Sequence, residues 1–140
     1  MTPSPSVPSL ESLRAAAQQL GEELSARLIV LFGSAARAGT APKDVDIGIL
    51  CDRPLDAVDA ANRLTRSLGT QGIDVADLRQ AEPLLLALVA RDGIPLYQAR
   101  PGTFAAFASL AARRFADTRK FREAERREIE DFLGARGAPQ

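Results

Sequence analysis

The sequence predicts an α/β (α+β) fold in which a small mixed β-sheet is flanked by helices and followed by a long C-terminal helix. Leucines and alanines recur at helical spacing over residues 10–25, and a continuous apolar run, Leu28–Phe32, stops at a glycine. The first pattern is typical of an amphipathic helix, and the second indicates a short strand buried on both faces. The order α-β-β-α-β-α-β-α then predicts one sheet with helices packed on it.

Each element has a local signal in the sequence. Ser9 is the expected N-cap of the first helix, and three prolines before it predict a disordered tail over residues 1–8. Gly69 is the expected residue after the end of the second helix, and Pro83 suits the first turn of the third. Strands are expected over 28–32, 45–50, 73–78 and 94–97, and further helices over 56–68, 82–91 and from Gly102 onward. We expect a globular domain over 9–100 and a helical extension over 101–140 that packs on the domain or on a partner.

The composition restricts the chemistry. Lys+Arg and Asp+Glu both number 18 in 140 residues, so no global field favours nucleic acid. Histidine is absent and Cys51 is the only cysteine, which excludes histidine-based triads and zinc sites built from these residues. Any metal must therefore be a hard cation held by oxygen ligands, such as Mg²⁺. The sequence shows neither a membrane-length apolar run nor a secretory pattern, so we expect a cytoplasmic protein.

Two acids accompany the second apolar run, Asp44 just before it and Asp46 inside it. Residues i and i+2 of a strand point to the same face, so we expect the two side chains to project together, with bases roughly 5–7 Å apart. Like charges at that distance repel, and burial raises their pKa values. A divalent cation removes this objection because it binds both carboxylates, and Mg²⁺ ordinarily takes one or two carboxylates plus phosphates and waters. The alternative is a strand-end turn whose acids are simply solvated.

The dipeptide Gly33-Ser34 follows the first strand. Backbone N–H groups at a turn between a strand and a helix lack partners and bind phosphate readily, and glycine allows a close approach of the anion. Ser34 adds a hydroxyl, and Arg37 lies one turn further on, where it can reach a phosphate. The alternative is an ordinary turn with Ser34 as N-cap. The connection over residues 35–43 is short enough to bring Gly33-Ser34 beside the two acids.

The third strand contains another acid, Asp74, between Ile73 and Val75. If this strand neighbours the second one, Asp74 completes a carboxylate triad that suits a two-metal phosphoryl site and can accept a proton from an attacking hydroxyl. Asp77 is the alternative third carboxylate. It lies three residues further on, so a regular strand directs it to the other face.

The segments LFGSAAR, DVDIGIL and IDVADL together resemble the minimal nucleotidyltransferases of the DNA polymerase β superfamily. The resemblance covers roughly residues 10–97. It implies a mixed sheet with flanking helices and transfer of a nucleoside monophosphate, here AMP from ATP, with Mg²⁺ as cofactor. It also implies roles for the residues already identified as candidates. Phosphates would be bound by Gly33, Ser34 and Arg37, metal by Asp44, Asp46 and Asp74, and the acceptor hydroxyl would be activated by Asp74.

Small members of this family with an added C-terminal helix resemble the antitoxins paired with HEPN-type ribonuclease toxins, which implies a toxin partner and a tyrosine acceptor. The segment 113–127 suits a partner role because its charge is mainly positive, although a solvated face is the alternative reading. Its basic residues are Arg113, Arg114, Arg119, Lys120, Arg122, Arg126 and Arg127, against Asp117, Glu123 and Glu125. The phenylalanines at 104, 107 and 115 are expected in the core.

Two positions depart from the family pattern. The spacer between Ser34 and Asp44 is nine residues where the family usually has ten, and Ala38 stands where a glycine usually follows the arginine. A binding-only antitoxin with an inactive site is therefore one alternative function, and a nucleotidyltransferase acting on a small molecule is another. We expect no membrane partner, no direct binding of nucleic acid, and an association with the toxin into a hetero-oligomer.

Overall fold

The computed structural model describes residues 7–36 and 44–137. Their order along the chain is helix, two strands, helix, strand, helix, strand, helix. The elements are α1 (Leu10–Leu24), β1 (Leu28–Phe32), β2 (Val45–Leu50), α2 (Ala57–Leu68), β3 (Ile73–Asp77), α3 (Pro83–Asp92), β4 (Ile94–Gln98) and α4 (Thr103–Gly137). A single 3₁₀ turn, Gly33–Ala36, follows β1 and is called the Gly33 turn below. The predicted class and order of elements are thus confirmed.

The four strands form one mixed sheet in the order β3-β2-β1-β4. β1 is antiparallel to both β2 and β4, whereas β2 and β3 run parallel. The parallel pair is joined by α2, because parallel neighbours need a long crossover rather than a tight turn. One edge of the sheet therefore contains the end of β1 together with the starts of β2, β3 and β4.

Helices cover both faces of the sheet. α1 and α2 pack on one face, where Ile29, Ile47 and Ile49 are fully buried. α3 and α4 pack on the other, around Val30, Val89 and Ala111. Because both faces are covered, β1 is apolar throughout, as the continuous apolar run predicted. The strands are consequently held rigidly between two cores.

Most element ends agree with the sequence pattern. The Ser9 hydroxyl accepts a hydrogen bond from the Ser12 N–H at 3.1 Å, so Ser9 is the N-cap as predicted. Gly69 ends α2 with a left-handed φ of 64°. α3 starts one residue later than expected because Glu82 is extended and Pro83 occupies the first helical position. β3 ends one residue earlier than expected, and β4 continues one residue longer.

α4 is 35 residues long, which corresponds to roughly 52 Å at the usual rise per residue. Its first turns contact α3 and β4. Phe104 and Phe107 pack on the core as predicted, with ring centroids 6.2 Å apart. Phe115 instead lines an open groove, so its predicted place in the core is wrong. Across the described part of the chain, no helix has both the length and the apolar content for a membrane span.

Gly21 in α1 lies directly under the ring of Tyr97 in β4. A Cβ at this position would stand 2.5 Å from both Cδ1 and Cε1 of the ring, and 2.8 Å from Cγ. Such distances are far below van der Waals contact, so the glycine permits α1 to lie against β4 at this point. The packing of α1 on the sheet depends on it.

We expect Gly21→Ala to destabilise the protein although alanine is the better helix former. The intrinsic gain in the helix is about 1 kcal/mol, whereas overpacking against a ring costs about 1–3 kcal/mol. Urea denaturation should therefore give a lower free energy of unfolding. In a Tyr97→Ala background the same change should stabilise instead, because the ring is gone. A stabilising Gly21→Ala in the wild-type background would contradict this packing argument.

Candidate active site

The candidate site is built on a row of paired residues that crosses three strands. Phe32, the last residue of β1, pairs with Asp46 of β2, and Asp46 pairs with Asp74 of β3. Directly paired residues of neighbouring strands project to the same face, and the strands lie about 4.8 Å apart. The two carboxylates therefore stand side by side on the face that carries α3. Two acids separated by 27 intervening residues in sequence become neighbours.

The Gly33 turn lies against the first of these acids. Gly33 has a φ of +73°, in the left-handed region that glycine adopts without strain. A Cβ on Gly33 would collide with Oδ2 of Asp46 and would stand 3.1 Å from its Cγ. The Asp46 carboxylate thus occupies the space that any other residue would fill. The backbone of the turn and the carboxylate are therefore in close contact, as the sequence predicted.

The electrostatics of Asp46 indicate excess negative charge. Its pKa is raised above 3.8, first by burial, then by the charge of Asp74 and then by that of Asp44. Within the described residues, no lysine or arginine forms an ion pair with any of these three acids. Asp46 is half-buried, whereas Asp44 and Asp74 are exposed. Carboxylates this close repel one another, and a bound cation would relieve the repulsion. The arrangement consequently favours the binding of a cation.

The donor atoms match a hard cation. All are carboxylate oxygens, and among the described residues no group of three or more Asp, Glu or Cys side chains is placed so that it could hold a metal ion by itself. Mg²⁺ does not require such a cluster, because it usually binds through one or two carboxylates and takes its other ligands from phosphates and water. Asp46 and Asp74 form such a pair, and the charge of Asp44 acts on it. The residues present therefore fit Mg²⁺.

The remaining predicted residues have different positions. Asp44 lies in a bend one residue before β2 and is exposed, so it stands at the rim of the site. Ser34 is half-buried in the Gly33 turn. Arg37, the predicted phosphate-binding arginine, lies outside the described residues. The structure thus brings Gly33, Ser34 and the three acids to one edge of the sheet.

Asp77 lies away from this edge. It pairs with Ile49 near the far end of β2, and its Oδ1 accepts a hydrogen bond of 3.0 Å from the Arg79 N–H in the following turn. The Asp77 charge contributes, after burial, to raising the pKa of the Cys51 thiol. Asp77 thus ends β3 at the opposite edge of the sheet, and Asp74 is the acid beside Asp46.

A fourth acid, Asp92, reaches the site edge and was not identified from the sequence. It ends α3, two residues before Ile94, which pairs with Leu31 of β1. Arg91 donates two hydrogen bonds to it, from Nε at 3.0 Å and from Nη2 at 2.7 Å. α3 also contacts the Gly33 turn. No local pattern marks this residue, because its position follows from the pairing of β4 with β1.

The arrangement offers two complementary binding features at one place. Adjacent carboxylates attract a divalent cation, and the glycine turn beside them gives an anion access to backbone N–H groups. A ligand that carries both an anion and a bound cation, such as a nucleoside triphosphate with its metal, matches this pair of features. Two further clefts among the described residues lie between helices, one between α1 and α2 and one between α3 and α4, and neither combines paired acids with a glycine turn.

Comparison with known proteins agrees with this geometry. Residues 16–101 match the protein family described as "Polymerase beta, Nucleotidyltransferase". The matched range contains the Gly33 turn, all three acids and the whole sheet. Among curated proteins, no relative matches the sequence.

Several solved structures similar to this chain are of toxin–antitoxin complexes. A chain of a toxin–antitoxin structure with AMP-PNP is 25% identical, with a TM-score of 0.67, over 86% of this chain and 97% of that one. A chain of the complex between a tri-AMPylated Shewanella oneidensis HEPN toxin and an MNT antitoxin is 25% identical, with a TM-score of 0.65, over 89% and 98%. A chain of an MntA–HpeT toxin–antitoxin mutant is 27% identical, with a TM-score of 0.61, over 82% and 92%.

The match covers more than half of the chain and includes its sheet and every candidate acid. The fold is that of the polymerase β-like nucleotidyltransferases, with a long C-terminal helix added. The protein therefore belongs to the polymerase β nucleotidyltransferase family and is a nucleotidyltransferase.

Proposed function

We propose that this protein is the antitoxin of a toxin–antitoxin pair and transfers AMP from ATP to a hydroxyl, taken here to be a tyrosine, of a HEPN-type toxin. The observation that carries the proposal is the in-register pair Asp46–Asp74 beside the Gly33 turn. Support for the partner comes from similar chains, one seen with AMP-PNP and one with a tri-AMPylated HEPN toxin. We assign the reaction to the cytoplasm, where ATP is available.

In this proposal the Gly33 turn binds the β- and γ-phosphates of ATP. The left-handed glycine leaves room for the anion, and the Ser34 hydroxyl donates a further hydrogen bond. Arg37 neutralises phosphate charge. Asp44 and Asp46 would hold Mg²⁺, which would supply charge neutralisation at the phosphates. These residues therefore orient the nucleotide with its α-phosphate toward the acceptor. The acceptor oxygen bonds to the α-phosphorus as the bond from that phosphorus to the bridging oxygen of the β-phosphate breaks, and the β- and γ-phosphates leave as pyrophosphate.

Asp74 acts on the acceptor side. Its carboxylate stands beside that of Asp46, so it can accept the proton of an incoming hydroxyl while also contributing a metal ligand. A phenolic hydroxyl needs such a base at neutral pH because its own pKa is about 10. The remaining part of catalysis is positioning and charge neutralisation, as in phosphoryl transfer generally.

A binding-only antitoxin is the second candidate function. The observation that favours it is the nine-residue spacer between Ser34 and Asp44, one residue shorter than the family usually has. In that case the toxin is neutralised by contact, and the carboxylates are not needed. Toxin neutralisation by the Asp46→Asn protein, combined with no ATP-dependent mass gain on the toxin, identifies this second function.

The first experiment uses conservative replacements of the acids. We expect Asp46→Asn and Asp74→Asn each to reduce AMP transfer by at least about 10²-fold, since each removes a charge that acts in the transition state. Asp77→Asn is the matched control, because Asp77 lies on the same strand as Asp74 but at the far end. The measurement is the intact mass of the purified HEPN-type toxin after incubation with ATP and Mg²⁺.

Circular dichroism and thermal melting show whether each variant remains folded. Normal AMP transfer by a folded Asp46→Asn protein would refute the assignment of these carboxylates as the active site. Loss of transfer in Asp46→Asn and Asp77→Asn, with Asp74→Asn active, would instead move the third carboxylate to Asp77.

Gly33→Ala tests the contact between the turn and Asp46. An alanine in the left-handed region costs about 1–2 kcal/mol, and its Cβ must displace the Asp46 carboxylate. We expect a modest loss of thermal stability and a much larger loss of AMP transfer, with weaker binding of a non-hydrolysable ATP analogue. Gly69→Ala is the control, because Gly69 also has a positive φ but has nothing within 4 Å of its Cβ position. Equal activity of the two variants would contradict the role of this contact.

The pH dependence of stability tests the charge of the acidic pair. The pKa of Asp46 is raised in the folded state by burial, by Asp74 and by Asp44, so that state binds more protons than the unfolded chain above pH 3.8. The free energy of unfolding therefore falls as pH rises through the interval between 3.8 and the folded pKa, and it stays lower above that interval.

The asparagine in the Asp46→Asn protein cannot ionise, so this variant does not lose stability from that carboxylate as the pH rises. In the absence of metal and nucleotide we expect its melting temperature to exceed that of the wild type at neutral pH. The difference should disappear in acid, where Asp46 of the wild type is protonated. Thermal melts across the pH range measure this difference. A wild type that is more stable than the variant at neutral pH and equal to it in acid would show that the Asp46 carboxylate has a stabilising partner.

A further inference from the structure

An apolar groove lies between α3 and α4 on the outer side of the molecule. Its volume is about 340 Å³. The α3 wall carries Leu84 and Leu88, which are 56% and 39% exposed, and the α4 wall carries Ala108, Ala112 and Phe115. Large leucines at this exposure are not needed for the core, which is already filled by Leu86 and Val89 on the inner side of α3. The groove is therefore a surface that can accept an apolar partner.

The face of α4 that forms the groove becomes basic along the helix. Ala108, Ala112 and Phe115 recur at intervals of four and three, and the same spacing continues through Arg119 and Arg122. The Arg122 guanidinium folds back over the Phe115 ring at 3.7 Å from its centroid, so a positive charge closes this end of the groove. Arg119 pairs with Glu123 at 3.2 Å but is 74% exposed, and such surface pairs exchange partners easily.

The charge on this helix is local, because the whole chain has a formal net charge of zero. Residues 113–127 hold seven basic and three acidic residues, which leaves four net positive charges on this segment. The concentration of positive charge next to an apolar groove is the signature of a surface that fits an apolar stripe bordered by carboxylates.

We propose that this groove docks a helix of the protein partner, with apolar residues in the groove and acidic residues against Arg119 and Arg122. The proposal rests on the proposed function only for the identity of that partner, the HEPN-type toxin. A second copy of this chain fits less well, because it brings another positive α4. A nucleic acid fits less well too, since the leucine and alanine side chains of the groove walls cannot donate hydrogen bonds to phosphates.

The groove also connects with the candidate site. Arg91 lines the groove and binds Asp92 with two hydrogen bonds. Asp92 ends α3 at the edge of the sheet where Asp46 and Asp74 lie. A partner helix bound in the groove is thus held beside the site. This raises the local concentration of an acceptor hydroxyl on the same partner near the candidate carboxylates.

The experiment compares matched variants in binding to the purified HEPN-type toxin by titration calorimetry. Leu84→Asp/Leu88→Asp places charge in the groove, and Leu110→Asp is the control, since Leu110 lies on another side of α4 with a similar exposure of 41%. Arg119→Glu/Arg122→Glu reverses the basic face, and Arg113→Glu/Arg114→Glu makes the same charge change away from it. Circular dichroism confirms that every variant is folded.

We expect each groove variant to weaken binding by at least about tenfold, as for the centre of an interface, and each control to stay near the wild type. The basic-face variant should also lose most of the salt dependence of binding, whereas its control should keep it. Groove and control variants that bind equally well would overturn the inference, and so would a wild type that does not bind the toxin.

Two readouts separate this inference from the proposed function. The Asp46→Asn protein should bind the toxin as the wild type does, because it leaves the groove intact. Groove-dependent binding without any ATP-dependent mass gain on the toxin would refute AMP transfer and leave the docking surface standing. Normal AMP transfer with binding that is indifferent to Leu84 and Leu88 would refute the docking surface alone.

Discussion

The parallel pairing of β2 with β3 is the constraint on which the candidate site depends. It sets Asp46 opposite Asp74 and fixes both on the face that carries α3. Slipping the register by one residue would turn every side chain of one strand to the opposite face and separate the acids. Register is secured by burial, because Val45, Ile47 and Ile49 alternate with Asp46 and lie in the core beneath α1 and α2. The buried apolar side chains on one face of β2 thus fix the position of Asp46 on the other face.

This arrangement has an energetic cost that the rest of the fold must offset. Burial and two neighbouring carboxylates raise the pKa of Asp46, so its ionised form is less favourable than that of a solvated carboxylate. The structure tolerates it because cores on both faces of the sheet supply the stability. Unbalanced charge of this kind is common at functional sites. Gly33 adds no strain beside Asp46, because glycine adopts a positive φ freely.

The long α4 helix distributes the charges of the chain unevenly. Its first turns complete the core through Phe104, Phe107 and Ala111. Further along, the same helix carries Phe115 in an open groove and then arginines. One helix thus serves the fold at its start and offers a surface for association further on. Glu128, Glu130 and Asp131 follow the basic segment 113–127 in the same helix, so the excess of positive charge is confined to that segment.

The sequence by itself determined most of the elements and most of the candidate residues, because the signals involved are local. Periodicity located α1, glycine and proline located the ends of several elements, and the apolar run located β1. Gly33, Ser34, Asp44 and Asp46 lie close together along the chain, so their proximity follows from a short connection. Asp74 was identified as an acid in a β-branched run, although its position beside Asp46 was conditional on the order of the strands.

The tertiary structure alone decided the features that depend on non-local pairing. The order β3-β2-β1-β4 sets Asp74 opposite Asp46 and leaves Asp77 at the far end, since three residues of an extended strand reverse the face and span roughly 10 Å. Pairing of β4 with β1 brings Asp92 to the site edge. Phe115 lines the open groove between α3 and α4, a position that depends on how these two helices pack against each other. No local pattern encodes such distances between segments, because they arise only when the two cores close on the sheet.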